Sequence, residues 1–398
     1  MNQIIKGGKV MDSDLLALTH TGDEYEKYLN AVVPPVFLNS LHLFKTFEEY
    51  CNVDVFEEDQ FIYGRASNPT VHILERKVAQ LENGVRAAAF SSGMAACSAA
   101  IMGTCSSGSH IICMKDVYQP VKRFLNQVCI PRFQMEVSYV TGTDLEEIEK
   151  AVRPSTTLMI LESPASFVFR VIDILAVTAI AKKHGIKTYI DNTCLTPLFQ
   201  KPLELGVDIV MHTISKYIGG HSDIIGGILV SKDEGLIRKI MSEMREWFGG
   251  ILGPMEGWLA IRGLRTLQAR LMQHQDTAMK IAAYLEKQEK VKKVYYTGLS
   301  SHPQADIIKR QQKGHTSLMS LQLDTTPEKA VLFINNLKLF GKGCSWGGFE
   351  SLALCPLYKA GQEELDFLEV DRGLIRLYSG LEGTENLLED LEGAFRSI

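Results

Sequence analysis

Lys216 lies in Ile214-Ser215-Lys216-Tyr217-Ile218-Gly219-Gly220-His221-Ser222-Asp223, just after the apolar run 208–211, whose strand is predicted to end near His212. That run reads as a buried strand, and an ammonium at such a place is costly to bury. Lys216 is therefore either a surface lysine at a strand end or an amine with a lowered pKa, ready for Schiff-base chemistry. The hydroxyls of Thr213 and Ser215 stand two residues apart, a spacing that lets both face one phosphate. Upstream, Phe90-Ser91-Ser92-Gly93-Met94-Ala95-Ala96 is a small, glycine-containing turn that opens a helix of small residues. Backbone N–H groups and a helix dipole suit a phosphate there, and small residues equally suit helix–sheet packing. In Tyr189-Ile190-Asp191-Asn192-Thr193, Asp191 closes a strand of the kind whose carboxyl end borders a ligand crevice. It is either a helix N-cap or the partner of a heteroaromatic nitrogen. Arg376, inside the apolar strand Ile375-Arg376-Leu377-Tyr378, needs a carboxylate, supplied by a substrate or by a structural glutamate.

Each feature alone is modest. Phosphate donors, a ring-nitrogen carboxylate, a Schiff-base lysine and a carboxylate clamp together specify one cofactor, pyridoxal 5′-phosphate (PLP). A protonated ring held by Asp191 is an electron sink for amino-acid chemistry. The chain has no G-x-G-x-x-G and no Walker lysine, which counts against dinucleotide and nucleotide enzymes.

The elements that must position these residues are legible in outline. Residues 74–82 carry helical apolar spacing. Short apolar runs at 110–114, 157–161, 187–190 and 208–211 alternate with amphipathic stretches such as 175–184. This alternation predicts βαβ units and a mostly parallel sheet. Beyond Gly253-Pro254 a long helical stretch is predicted over 255–285, then a strand at 317–323 and a helix at 327–337. The expected organisation is an irregular N-terminal arm over 1–60, a large α/β cofactor-binding domain over 61–254 and a smaller α+β domain over 255–398.

The 398 residues carry a formal net charge of -5, with 45% hydrophobic and 22% charged residues. No basic field invites nucleic acid or an anionic membrane, and Lys122-Arg123 and Lys292-Lys293 read as solvated surface. No apolar run reaches the ~18 residues needed to span a bilayer. Residues 1–8 show no apolar signal core, so a cytoplasmic location is expected. The eight cysteines form no C-x-x-C pair, so free thiols and no metal site are expected.

The chain resembles the trans-sulfuration group of Cys/Met-metabolism PLP enzymes, whose fold is PLP-dependent transferase fold type I, like that of aspartate aminotransferase. The likeness rests on Tyr63-Gly64-Arg65-Ala66-Ser67-Asn68-Pro69-Thr70, Ser91-Ser92-Gly93-Met94, Asp116-Val117-Tyr118, Glu162-Ser163-Pro164, Asp191-Asn192-Thr193, Ser215-Lys216-Tyr217 and Ser345-Trp346-Gly347-Gly348-Phe349-Glu350-Ser351-Leu352. It implies that Lys216 is the Schiff-base lysine and proton shuttle, and that Asp191 pairs with the pyridine nitrogen. It assigns Ser92, Gly93, Met94, Thr213 and Ser215 to the phosphate and Tyr118 to the cofactor ring. Tyr63 and Arg65 would reach the phosphate of a neighbouring subunit, which implies a catalytic dimer and commonly a homotetramer. Ser345 and Arg376 would take the substrate α-carboxylate, with Trp346 beside them and Arg123 near the distal group. Trp346, Tyr118-Gln119-Pro120 and Ser166 resemble bacterial cystathionine β-lyases. The pattern Arg65-Ala66-Ser67-Asn68-Pro69-Thr70 and Arg123 stand closer to γ-type enzymes, and Cys344 departs from both. The implied reaction is α,β-elimination at a C–S bond, as in L-cystathionine, yielding thiol, pyruvate and ammonia. The alternative is γ-elimination or γ-replacement, as in cystathionine γ-lyase, methionine γ-lyase or cystathionine γ-synthase.

Overall fold

The apolar runs become strands of one seven-stranded sheet: β1 (Arg86–Phe90), β2 (His110–Met114), β3 (Glu136–Val140), β4 (Thr156–Glu162), β5 (Lys187–Asp191), β6 (Ile209–Thr213) and β7 (Gly227–Ser231). The computed structural model describes residues 12–57 and 59–398, with the backbone of Ile5–Lys6 and Lys9–Val10. The reading of residues 1–8 as lacking a signal core thus lies largely outside the described residues. The strand order is β1-β7-β6-β5-β4-β2-β3. Pairings from β3 through β6 are parallel, and β7 runs antiparallel to both its neighbours. Every residue of β2 and β7 is buried. Burial on both faces is what near-continuous apolar strands of a parallel sheet require.

The carboxyl ends of the parallel strands share one edge, where open α/β sheets bind ligands. Asp191 ends β5, Glu162 ends β4 and Thr213 ends β6. The turn after β1 reaches the same neighbourhood. It leads into the helix Gly93–Thr104, whose N-cap Ser92 accepts from the Ala95 N–H at 3.0 Å. A β-carbon on Gly227 would stand 2.5 Å from the Ser92 carbonyl, so glycine opens β7 to let this turn approach.

A second, antiparallel sheet lies in the C-terminal part: β8 (Val291–Tyr295), β9 (Leu318–Leu323), β10 (Leu352–Leu354) and β11 (Ile375–Tyr378), in the order β8-β9-β11-β10. It has its own core, built from Met319, Leu321, Phe333, Phe340, Leu377 and Leu387 among others. This is the mostly parallel large domain and smaller α+β domain of the expected fold class.

Two local differences have clear causes. The predicted helix over 255–285 is two helices, Pro254–Arg265 and Leu267–Leu285, broken at Thr266, whose ψ of 4° leaves the helical range. Within the N-terminal stretch, Ser13–His20 is helical and seats Ala17 and Leu18 in the main core, while Leu29, Leu43 and Phe47 stay exposed. No helix among the described residues is long and apolar enough to cross a membrane.

Candidate active site

Lys216 sits in the tight turn that follows β6. Its N–H donates to the Thr213 carbonyl at 3.2 Å, and its own carbonyl accepts from the Gly220 N–H at 2.8 Å. The next residue, Tyr217, is fully buried, and its hydroxyl accepts from the Ser317 N–H at 3.1 Å, which anchors the turn to the small domain. The Lys216 side chain therefore leaves a fixed backbone. Its Nζ donates to Ser345 Oγ at 2.7 Å and stands 5.4 Å from the centre of the Trp346 ring. Burial lowers its pKa, and the Arg376 guanidinium pushes the same way, against Cys344, Asp191 and Glu350.

Ser345 is placed by an unusual backbone. Gly347, at φ 89°, packs so closely that a β-carbon would meet Tyr217 N at 2.7 Å and the Lys216 carbonyl carbon at 2.8 Å. One residue before Ser345, the Cys344 carbonyl accepts from Arg376 Nη2 at 3.0 Å. Arg376 forms no ion pair among the described residues. Its burial lowers its pKa, so the guanidinium is desolvated and still open to a carboxylate. Consecutive residues of one loop thus bond to Lys216 on one side and to Arg376 on the other.

Asp191 Oδ1 accepts from the Thr193 N–H at 2.9 Å and from the Thr193 hydroxyl. Thr193 Oγ1 accepts in turn from the Thr213 N–H at 2.8 Å, locking β5 to β6 at the site. Oδ2 accepts from no donor among the described residues and is not sealed away as a buried orphan. Burial raises the Asp191 carboxyl, while Thr193, His212 and Lys216 counter it. A carboxylate with one oxygen tied down and one free fits a pyridinium N–H, whose charge would offset that burial.

The phosphate candidates separate. Thr213 Oγ1 lies 2.4 Å from the point a β-carbon on Gly93 would occupy, so the hydroxyl and the opening turn of Gly93–Thr104 form one cradle that only glycine leaves free. Met94 is the next residue of that helix, and Ser92 caps it. Ser215 lies just past the end of β6 at Thr213. Its hydroxyl accepts from the Gly226 N–H at 3.0 Å. Tyr63 and Arg65 stand apart: both are exposed, the guanidinium lies 5.3 Å from the Tyr63 ring centre, and its ion partner is Glu246 at 4.0 Å.

Tyr118 is 48% exposed at the N-terminal end of the helix Gln119–Phe124. Burial raises its hydroxyl, the charges of Asp191 and Cys344 add to this, and Arg123 on the same helix opposes them. Arg123 is exposed, within electrostatic reach of that hydroxyl. Sequence reasoning gave no role to Glu162. Its Oε2 accepts from the Tyr118 N–H at 2.6 Å, its Oε1 accepts from the Ser166 hydroxyl at 2.7 Å, and it pairs in register with Asp191. The only sequence signal was its place in Glu162-Ser163-Pro164.

The arrangement fits pyridoxal phosphate in an amine, a free carboxylate oxygen, a glycine cradle and an unpaired arginine. The family profile described as Cys/Met metabolism PLP-dependent enzyme matches residues 16–396. A cystathionine beta-lyase MetC of Bacillus subtilis is 36% identical over 385 residues, 96% of each chain. A human cystathionine gamma-lyase is 38% identical over 384 residues, 95% of this chain and 92% of that one. The crystal structure of metB from Corynebacterium glutamicum superposes with a TM-score of 0.89 at 32% identity, covering 97% of this chain and 98% of that one. The chain belongs to the Cys/Met metabolism PLP-dependent enzymes, and its cofactor is pyridoxal 5′-phosphate.

Proposed function

We propose that this enzyme is a carbon–sulfur lyase that performs α,β-elimination on a sulfur amino acid such as L-cystathionine, releasing a thiol, pyruvate and ammonia. The carrying observation is the Cys344-Ser345 junction. Arg376 bonds to the first residue and Lys216 to the second. A substrate whose α-carboxylate lies on Arg376 and Ser345 therefore presents its Cα to Lys216 Nζ.

When bound, pyridoxal phosphate supplies a carbonyl carbon that condenses with amines and a protonated ring that takes up electron density. Asp191 Oδ2 keeps the ring nitrogen protonated. Ser92, Gly93, Met94, Thr213 and Ser215 hold the phosphate, and Tyr118 covers the ring. Lys216 Nζ takes the Cα proton, and its lowered pKa leaves more of the amine neutral for that task. Tyr118 assists that removal, and the same lysine nitrogen then carries a proton to the departing sulfur. Trp346, beside Ser345, contacts the substrate, and Arg123 serves its distal end.

Tyr63 and Arg65 complete the phosphate site of a neighbouring subunit. Their exposure, and that of Leu29, Leu43 and Phe47 nearby in sequence, supports association between copies of the chain, which we read as a homo-oligomer with shared sites, a dimer of dimers. The arm spans 1–60, the cofactor-binding domain 61–254 and the small domain 255–398. Eight free cysteines support a reducing, cytoplasmic location.

The second reading is γ-elimination or γ-replacement, which needs another deprotonation at Cβ, again by Lys216. The similarity to the human cystathionine gamma-lyase favours it. Identifying the keto acid formed from L-cystathionine separates the two. Pyruvate supports the proposal, and 2-oxobutyrate overturns it in favour of the second reading.

A further inference from the structure

Segment 63–65 is tied to its own subunit by one buried ion pair that the chemistry above does not use. Arg245 and Glu75 are 4% and 8% exposed, and Arg245 Nη1 donates to Glu75 Oε1 at 2.6 Å. The other terminal nitrogen, Nη2, donates to the Ala66 carbonyl at 2.6 Å. Ala66 belongs to a turn closed on Tyr63, since the Ala66 and Ser67 N–H groups both donate to the Tyr63 carbonyl, at 2.9 and 3.2 Å. Glu75 Oε1 also accepts from the Ala89 N–H of β1 at 2.8 Å. The pair therefore fixes an otherwise exposed turn against the sheet.

A buried guanidinium costs desolvation energy, which its carboxylate partner offsets. Spending its second nitrogen on a loop carbonyl, which water would satisfy on an open surface, yields geometry more than stability. A turn that must meet a phosphate on another subunit loses less entropy on docking if it is already shaped.

We propose that Arg245 and Glu75 are positioning residues that act in trans: they preshape segment 63–65 for the neighbouring subunit, so their loss is felt at the neighbour's cofactor site. This rests on the reading that Tyr63 and Arg65 serve a neighbouring phosphate.

The test uses the double variant E75Q/R245M. It removes both charges together, and the introduced glutamine amide oxygen still accepts from the Ala89 N–H. The purified double variant is expected to bind pyridoxal phosphate about tenfold more weakly, with apoprotein melting close to wild type. Co-expression with K216A then decides where the defect lies. A mixed dimer has one site that combines an intact Lys216 with the intact segment 63–65 of the K216A chain. Assayed at a cofactor concentration that leaves the double variant alone nearly inactive, activity should recover to about a quarter of wild type, the share of such sites in a random mixture. R65A co-expressed with K216A is the control. If R65A recovers and E75Q/R245M does not, the trans role of Arg245 is wrong while the shared site stands. If R65A also fails to recover, the shared-site reading itself falls and takes the proposal with it. Unchanged cofactor affinity in the double variant overturns the proposal as well. Should the double variant fail to fold, R245K carries the same comparison, because a lysine keeps the charge beside Glu75 but lacks the fork that serves two acceptors.

Discussion

Glu162 and Asp191 stand directly opposite each other at the carboxyl ends of two parallel strands, β4 and β5. Burial raises both carboxyls, and the charge of Asp191 pushes Glu162 further, to about 8. Two neighbouring carboxyls out of water do not both ionise readily, so the pair retains a proton. Asp191 is then the one to take the charge when a cation arrives, and Glu162 stays neutral and grips the Tyr118 N–H.

This pair predicts a pH-dependent stability of the apoprotein. Glu162 titrates above its ordinary value of 4.5, so between 4.5 and about 8 the folded chain keeps a proton that the unfolded chain releases. Stability therefore falls as pH rises through that window. Glu162→Gln keeps an acceptor for Tyr118 and removes the titration. Its melting temperature should match wild type below pH 4.5 and exceed it increasingly towards pH 8. Parallel curves for the two proteins would refute the retained proton.

Arg376 has a carbonyl for a partner and no carboxylate among the described residues. Arg376→Lys keeps the charge and loses the planar fork. KM for the amino-acid substrate should rise about 10–100-fold, with a smaller change in kcat. Steady-state kinetics check this, and an unchanged KM would remove Arg376 from the carboxylate site.

Gly347 at φ 89° brings the Ser345 loop against the Lys216 backbone. Gly347→Ala meets both a strained backbone and a steric overlap, and should lose about 2–4 kcal/mol in denaturant unfolding. The holoenzyme should also lose activity, because Ser345 moves away from Lys216. A variant as stable and as active as wild type would contradict this close packing.

Much of the site was legible because its residues sit where strands end. Lys216, Asp191 and Thr213 follow apolar runs whose alternation with helices already implied a parallel sheet with one ligand-binding edge. Glu162 ends such a run too, but its closeness to Asp191 is a matter of register between β4 and β5, which no local pattern encodes. Ser215 lies just past the end of β6 at Thr213, and the bond that fixes its hydroxyl, from the Gly226 N–H, joins residues eleven apart that no local pattern pairs. The break at Thr266 was hidden because apolar spacing continues through it. The link from Arg245 to Ala66 joins residues far apart in sequence, and no spacing rule suggests it.

Lys216 is the residue on which the account turns. The direct measurement is borohydride reduction of the holoenzyme, followed by mass analysis of its peptides. A pyridoxyl-phosphate mass on the peptide containing Lys216, absent from Lys216→Ala together with the lyase activity, is the predicted result. Label on a different lysine, or a Lys216→Ala enzyme that still turns over substrate at the wild-type rate, would contradict it.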